Sequence, residues 1–327
     1  MLRANPVVSG GSLMTAPGIA KRLAELRARG GTLVVVDPRR TETAAVASEH
    51  LAIRPGTDAL FLFAVLATLF EEGLARPGRL AAHCDGLDVV RAVAARFPPE
   101  AVAGVTGIEA VTIRRIARAF AASPSAVAYG RVGVCLSEHG ALATWATDLL
   151  NIVTGNLDRA GGSMFTSPAV DVVALAALAG QAGSYDTFRS RVRGLPEFGG
   201  ELPVSTLVDE IETPGPGQVR ALISSCGNPV LSAPNGERLS RALQTLPLMV
   251  SIDIYRNETS RFAHFILPPT FALEHEHYDL ALHMVSVRNT ARCKDRGLCR
   301  DHTDRFDGDE SACGDDHRHR RLGTAGW

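Results

Sequence analysis

Apolar positions between residues 17 and 29 recur at helical spacing: Ile19, Leu23 and Leu26 share one face, while Lys21, Arg22, Arg27 and Arg29 lie elsewhere. Pro17 suits the first turn of this helix and Gly30-Gly31 its end. The chain then changes to a continuous apolar run, Thr32-Leu-Val-Val-Val36, closed by Asp37-Pro38. A strand without polar alternation is buried on both faces, which predicts a parallel sheet. Residues 59–72, 108–122 and 142–153 read as further helices, and 125–129 as a short strand ending at Gly130. Residues 163–217 are richer in Gly and Pro and read as a linker with one or two short helices. Regular patterning returns with a strand over 219–224, a helix over 235–244 and strands over 248–252 and 263–267. Strands alternating with helices predict an α/β chain with parallel sheets.

The pattern contains an internal repeat. Asn5-Pro-Val-Val-Ser9 recurs as Asn228-Pro-Val-Leu-Ser232. Each copy leads into a helix and then a buried strand that ends in an aspartate, Asp37 or Asp253. Each aspartate is followed by an arginine and then by Glu-Thr and a small residue, in Arg40-Thr-Glu-Thr-Ala44 and Arg256-Asn-Glu-Thr-Ser260. The glutamate stands five residues after the aspartate both times.

Ligands on open α/β sheets bind beyond the carboxyl ends of the strands. An Asn-Pro turn there offers backbone N–H groups and an amide side chain, and nearby helix N-termini favour an anion such as a pyrophosphate. An acid at the end of the next strand accepts bonds from a ribose hydroxyl pair or from purine N–H donors. The Arg and Thr that follow can bond phosphate or ring oxygens. Either copy alone reads more simply as a turn, since Asn-Pro starts turns and Asp-Pro caps helices. The two in register favour a pair of related nucleotide sites. A generic α/β binder of NAD or coenzyme A is the more distant alternative; no GxGxxG follows a strand, which counts against NAD.

Composition limits the partners. The 327 residues suffice for two domains, and a formal net charge of -1 shows none of the basic excess of a nucleic-acid binder. Glycine is frequent (31) and aromatics are scarce (6%), as suits tight turns around ligands. The six cysteines include no CxxC, so a reducing, cytoplasmic setting is simpler than a disulfide framework. The longest apolar run, residues 59–70, falls short of the roughly twenty residues that a membrane span needs.

Other motifs carry less. Tyr129-Gly-Arg-Val-Gly133 suits a phosphate or ring contact, and equally a packing turn. Glu274-His-Glu-His277 places two histidines on one side of an extended segment, yet no third ligand stands at metal spacing, so a solvated loop or ligand rim is expected. Ser137-Glu-His139 lacks the third member of a triad. Asp301, His302, Cys313, His317 and His319 show no paired spacing, and no metal site is predicted from them.

These residues resemble the bis-molybdopterin-guanine-dinucleotide oxidoreductases: formate dehydrogenases, periplasmic-type nitrate reductases and dimethyl-sulfoxide-reductase relatives. The resemblance runs from Leu2 to about Arg292. It rests on Ala4-Asn-Pro6, Val36-Asp-Pro-Arg-Arg-Thr-Glu-Thr-Ala44, Arg54-Pro-Gly-Thr-Asp58, Tyr129-Gly-Arg-Val-Gly133, the segment from Leu150 to Gly162, Gly227-Asn-Pro229, and Asp253-Ile-Tyr-Arg-Asn-Glu-Thr259 followed by Ala263-His-Phe-Ile-Leu-Pro-Pro269. It implies two Rossmann-like parallel-sheet domains related by the internal repeat. It also implies two molybdopterin guanine dinucleotides around one molybdenum or tungsten. Carried over by motif, Asn5, Asp37, Arg39, Gly56 and Asp58 would hold one dinucleotide, with Gly130 and Gly133 near its pterin end. Gly227, Asn228, Asp253 and Thr259 would hold the other. A small-molecule redox substrate and an electron-transfer subunit are the implied partners of the parent.

The chain departs from the family at both ends. The family's iron–sulfur domain has no counterpart here, the protein ligand to the metal is expected upstream of residue 1, and the strand leading into Asn5 is missing. No catalytic residue is therefore assigned, and the chain by itself is expected to lack turnover. Against the family pattern, the closing C-terminal domain is also expected to be lacking from this chain. The expected organisation is a first dinucleotide-binding domain over 1–165, a linker over 166–217, a second dinucleotide-binding segment over 218–292 and a disordered tail over 293–327. The tail has almost no aliphatic residues and reads as out-of-frame translation, which the nucleotide sequence would test. The alternative to a fragment is a non-catalytic pterin-nucleotide module or a subunit completed by a partner chain.

Overall fold

The amphipathic stretch after Pro17 folds as helix α1 (Ile19–Ala28) and ends at Gly30, whose φ of 81° suits glycine. This is seen in a computed structural model that describes residues 1–9, 18–168, 170–181, 183–271 and 274. The described residues fall into two compact units, the first reaching from Met1 to Val172 and the second starting at Val173. Both are mixed α/β, each with a small parallel sheet.

In the first unit, β1 (Val34–Val36) leads through the short helix α2 (Glu42–Ala45) to β2 (Glu49–Leu51), and the two strands pair in parallel with Val34 opposite Glu49. The sequence pattern does not reveal β2, whose Glu-His-Leu lacks a β-branched run. Residues 1–3, read from the sequence as lacking their strand, lie between β1 and the 129–130 segment. Leu2 bridges both Val36 and Gly130 in parallel, and its N–H donates to the Tyr129 carbonyl at 2.7 Å.

The strand expected over 125–129 does not form. Side chains serve its backbone instead. Asn151 accepts from the Ala128 N–H at 2.8 Å and donates to the Ala128 carbonyl at 2.9 Å, while Asn156 accepts from the Ala126 N–H at 3.2 Å. The motif from Leu150 to Gly162 therefore works structurally, as a bracket for this segment.

Helix α3 (Asp58–Glu71) is apolar on nearly every face, so it can only be stable when surrounded. Helices α4 (Leu87–Ala94), α5 (Pro99–Thr106), α6 (Ala110–Ala122) and, beyond the short α7 (Val132–Cys135), α8 (Gly140–Val153) complete the unit. Of these, α4, α5, α6 and α8 pack on α3 and leave Leu62, Leu66 and Leu69 fully buried. Truncating one of these leucines to alanine is expected to cost about 2–5 kcal/mol.

The next helix is α9 (Val172–Leu178). Residues 166–217, expected to be linker with short helices, also carry an antiparallel pair, β3 (Tyr185–Arg189) and β4 (Pro196–Phe198), and helix α10 (Leu207–Glu212). The pair is organised around Glu197, whose buried carboxylate accepts from the Ser184 hydroxyl, from the Thr187 N–H at 2.8 Å and from the Gly200 N–H at 3.2 Å. The second unit continues with β5 (Ala221–Ser225), α11 (Pro229–Ser232), α12 (Gly236–Leu243), β6 (Leu248–Ile252) and β7 (Phe265–Leu267). The three strands form one parallel sheet in the order β5-β6-β7, with Ala221 opposite Leu248 and Val250 opposite Phe265. Val208, Ile211, Leu239, Leu243 and Met249 form its core. Most of Glu274-His-Glu-His277 and the whole tail over 293–327 lie outside the described residues.

Candidate functional site

The candidate residues of the first unit gather where β1 ends. Asp37 follows β1 directly, and its Oδ1 accepts from the Arg39 N–H two residues on at 2.8 Å. The turn delivers the chain to α2, whose start is capped by the Thr41 hydroxyl accepting from the Ala44 N–H at 3.1 Å. Asn5 is fastened to this turn. Its Oδ1 accepts from the Thr43 hydroxyl at 2.8 Å and the Thr43 N–H at 3.1 Å, and its Nδ2 donates to Glu42 Oε2 at 2.7 Å. The Thr43 oxygen accepts in turn from the Val7 N–H at 3.2 Å.

The second unit builds the same pattern from the second copy of the motif. Asp253 follows β6, and its Oδ1 accepts from the Tyr255 N–H at 2.9 Å. Asn257 caps the next turn, accepting from the N–H groups of Thr259 and Ser260, both at 2.9 Å. Asn228 Oδ1 accepts from the Thr259 hydroxyl at 2.7 Å, Asn228 Nδ2 donates to Glu258 Oε2 at 2.7 Å, and the Thr259 oxygen accepts from the Val230 N–H at 3.0 Å. Both glutamates sit below the usual carboxylate range. For Glu42 the main cause is a backbone N–H bond, followed by the bond from Asn5. For Glu258 it is the bond from Asn228, followed by a backbone N–H.

These bonds sharpen the roles expected from the sequence. Thr259 is fully buried and its hydroxyl both donates to Asn228 and accepts from Val230, so it fixes the loop. The Asn5 and Asn228 amides likewise hold their loops in place. The sequence reading of site residues names Thr259 but omits its counterpart Thr43 and the two glutamates, although the repeated Glu-Thr is the signal that locates all of them.

The remaining candidates fall close by or serve packing. Asp37 and Asp253 keep only 9% and 8% of their surface, and both Asp253 oxygens are bonded, Oδ2 to Asn257 Nδ2 at 2.8 Å. Arg39 is exposed. Gly56 has φ 84° with open space where a Cβ would stand, which is a backbone requirement at the turn before α3. At Gly133 a Cβ would lie 2.7 Å from the Arg3 carbonyl, so that glycine admits the Arg3 loop. At Gly130 the nearest atom to a Cβ is Val134 Cγ2 at 3.3 Å, and at Gly227 contacts are ordinary.

Asp58 is the most unusual member. It is fully buried at the start of α3; its Oδ2 pairs with Arg3 at 3.1 Å, and its Oδ1 has no hydrogen-bond partner among the described residues. Burial raises its pKa above the usual carboxylate value, and the neighbouring Arg3 charge only partly opposes this. A buried, orphaned acceptor beside a turn fits a missing ligand donor. Among the described residues no cluster of His, Cys, Asp and Glu could hold a metal ion, and no helix is long and apolar enough to cross a membrane.

Known proteins are similar to this chain over most of its length. Formate dehydrogenase H of Escherichia coli is 28% identical over 277 residues, covering 80% of this chain and 38% of that protein. The assimilatory nitrate reductase catalytic subunit of Bacillus subtilis is 25% identical over 80% of this chain and 38% of its own length. The periplasmic nitrate reductase of Desulfovibrio desulfuricans is 28% identical over 76% of this chain and 36% of its own. The chain thus spans little more than a third of the length of these relatives. The solved structure of acetylene hydratase from Pelobacter acetylenicus superposes with a TM-score of 0.71 at 20% identity, covering 91% of this chain and 45% of that one, a likeness of fold. The sequence profile of the molybdopterin oxidoreductases matches residues 14–292, most of the chain, and the chain accordingly belongs to the molybdopterin oxidoreductase family.

Proposed function

We propose that this chain is the part of a molybdopterin oxidoreductase that holds the nucleotide ends of two molybdopterin guanine dinucleotides, one in each of two Rossmann-like units related by an internal repeat. The observation that carries this reading is the Asn–Thr–Glu cross-link, which recurs with the same donors and acceptors at Asn5, Glu42 and Thr43 and at Asn228, Glu258 and Thr259. Two loops fastened by the same side-chain cross-link beyond parallel strands suit two copies of one ligand.

When bound, the cofactor supplies two-electron redox chemistry at molybdenum or tungsten. The chain's own residues bind and orient. Asp37 and Asp253, at the ends of β1 and β6, would accept from ribose hydroxyls or purine N–H groups. Asp58 would accept from a base through its carboxylate. Arg39 would meet a phosphate, Gly56 and Gly227 would let the backbone come close to the ligand, and Gly130 and Gly133 would act through their packing against Val134 and Arg3. Substrate, electron-transfer partner and iron–sulfur cluster belong to the whole parent protein under this reading.

Calorimetric titration of the full chain with GDP and with NAD tests it. The expected result is GDP binding that weakens about ten-fold in Asn228→Ala, since loss of the cross-link releases the loop that carries Asp253. NAD binding in preference to GDP would overturn the reading.

A further inference from the structure

We infer that the Arg3 side chain occupies the base subsite of the first nucleotide site, presenting to Asp58 the donor fragment that a guanine edge would present, so that Arg3 competes with the base for this subsite. The inference rests on the guanine-nucleotide reading given above. A guanidinium carries N–H donors on nitrogens flanking one carbon, and so does the N1–C2–N2 edge of guanine. Either can serve a carboxylate, and they cannot serve the same oxygens together.

Four observations meet at this point. Asp58 has no exposed side-chain surface while Arg3 keeps 21%, so the pair meets solvent through Arg3. The contact is a single 3.1 Å bond to Oδ2, and Oδ1 is left buried without a partner among the described residues. Arg3 therefore covers Asp58 without satisfying it. Arg3 also holds a left-handed backbone, φ 43°, a region that a long side chain rarely adopts. Finally, the second unit supplies an internal control. Cys226 stands two residues before Asn228, as Arg3 stands two before Asn5, and it shares the left-handed backbone with φ 49°. Cysteine has no fork of donors, so the second site lacks this competitor. The charged groups found to act on Asp58 are Arg3 and the more distant Asp37.

The test is calorimetric titration of the full chain with GDP and with IDP, which lacks the 2-amino donor. Wild type, Arg3→Gly, Arg3→Asn and Arg3→Gly/Asp58→Asn are compared. Gly and Asn both accept the left-handed backbone, so these variants keep the loop while removing the fork. An ion pair closed some nine-tenths of the time lowers apparent affinity about ten-fold. GDP is therefore expected to bind the first site about ten-fold more tightly in Arg3→Gly and Arg3→Asn, with a smaller gain for IDP, and Asp58→Asn should cancel the gain. Unchanged or weaker GDP binding in both Arg3 variants overturns the inference. If the wild type still binds GDP through the Asn228 loop, the nucleotide reading survives; if GDP binds neither the wild type nor the variants, both fall together.

Discussion

The Thr43 hydroxyl donates to Asn5 Oδ1 at 2.8 Å across 38 residues of chain, and the same oxygen of Thr43 accepts from the Val7 N–H. Thr259 and Asn228 repeat this relationship at 2.7 Å. Thr43→Val keeps the shape and removes both bonds, leaving the Val7 N–H without this partner and Asn5 Oδ1 with only the Thr43 N–H. The expected cost is about 1–3 kcal/mol in urea unfolding, with a similar cost for Thr259→Val. In a double-mutant cycle with Asn5→Ala, the two changes at the first loop should be strongly non-additive, whereas Thr43→Val and Asn228→Ala should add. Additivity within one loop would show that the cross-link does not act as a unit.

Asp58 sets the sign of a pH effect. Its folded pKa lies above the ordinary 3.8, mainly through burial. A raised carboxyl favours the folded state only while protonated, so its contribution is present below pH 3.8 and is lost as pH rises through the folded value. Asp58→Asn is therefore expected to melt higher than the wild type at neutral pH, with the gap closing in acid. A lower melting temperature for the variant at neutral pH would mean that the Arg3 pair outweighs desolvation.

Glu197 behaves in the opposite way. The Ser184 hydroxyl, then the Thr187 and Gly200 N–H groups, hold its pKa at about 2 against an ordinary 4.5. A depressed carboxyl stabilises the fold above its unfolded value, and that stabilisation is lost as pH falls from 4.5 through about 2. Glu197→Gln should be less stable than the wild type at neutral pH, and the difference should shrink across this acid window. A difference that stays constant with pH would assign the loss to packing alone.

Two glycines separate crowding from backbone strain. Gly133→Ala places a Cβ 2.7 Å from Arg3 Cβ and from the Arg3 carbonyl, and is expected to destabilise by about 1–3 kcal/mol. Gly56→Ala meets nothing within 4 Å but holds φ 84°, and is expected to cost about 1–2 kcal/mol. In Arg3→Gly, whose residue 3 has no Cβ, the Gly133→Ala cost should fall while the Gly56→Ala cost stays the same, as thermal melting would show.

The elements that carry strong periodicity were legible in the sequence: α1, α3, α6, α8, α12, β5 and β6 lie where the apolar spacing places them. The short pieces were not. Glu49-His-Leu51 becomes a strand only because β1 lies beside it, and residues 185–198 pair because Glu197 gathers their N–H and O–H groups. Residues 125–129 read as a strand, but Asn151 and Asn156 take its backbone bonds, a tertiary substitution that no local pattern reveals. In the candidate site, the repeated Asn-Pro and Glu-Thr located the cross-link, while the direction of each bond needed coordinates. Arg3 gave no signal at all, because its meaning depends on Asp58, fifty-five residues away.

The central claim is that one chain carries two related guanine-nucleotide sites. The most direct measurement is a GDP titration of the isotopically labelled full chain followed residue by residue in amide NMR spectra. The account predicts shifts confined to two clusters, one around Asn228, Asp253 and Thr259 and a weaker one around Asn5, Asp37 and Asp58, with ADP moving neither. Shifts in only one cluster at saturating GDP, or equal responses to ADP and GDP, would contradict it.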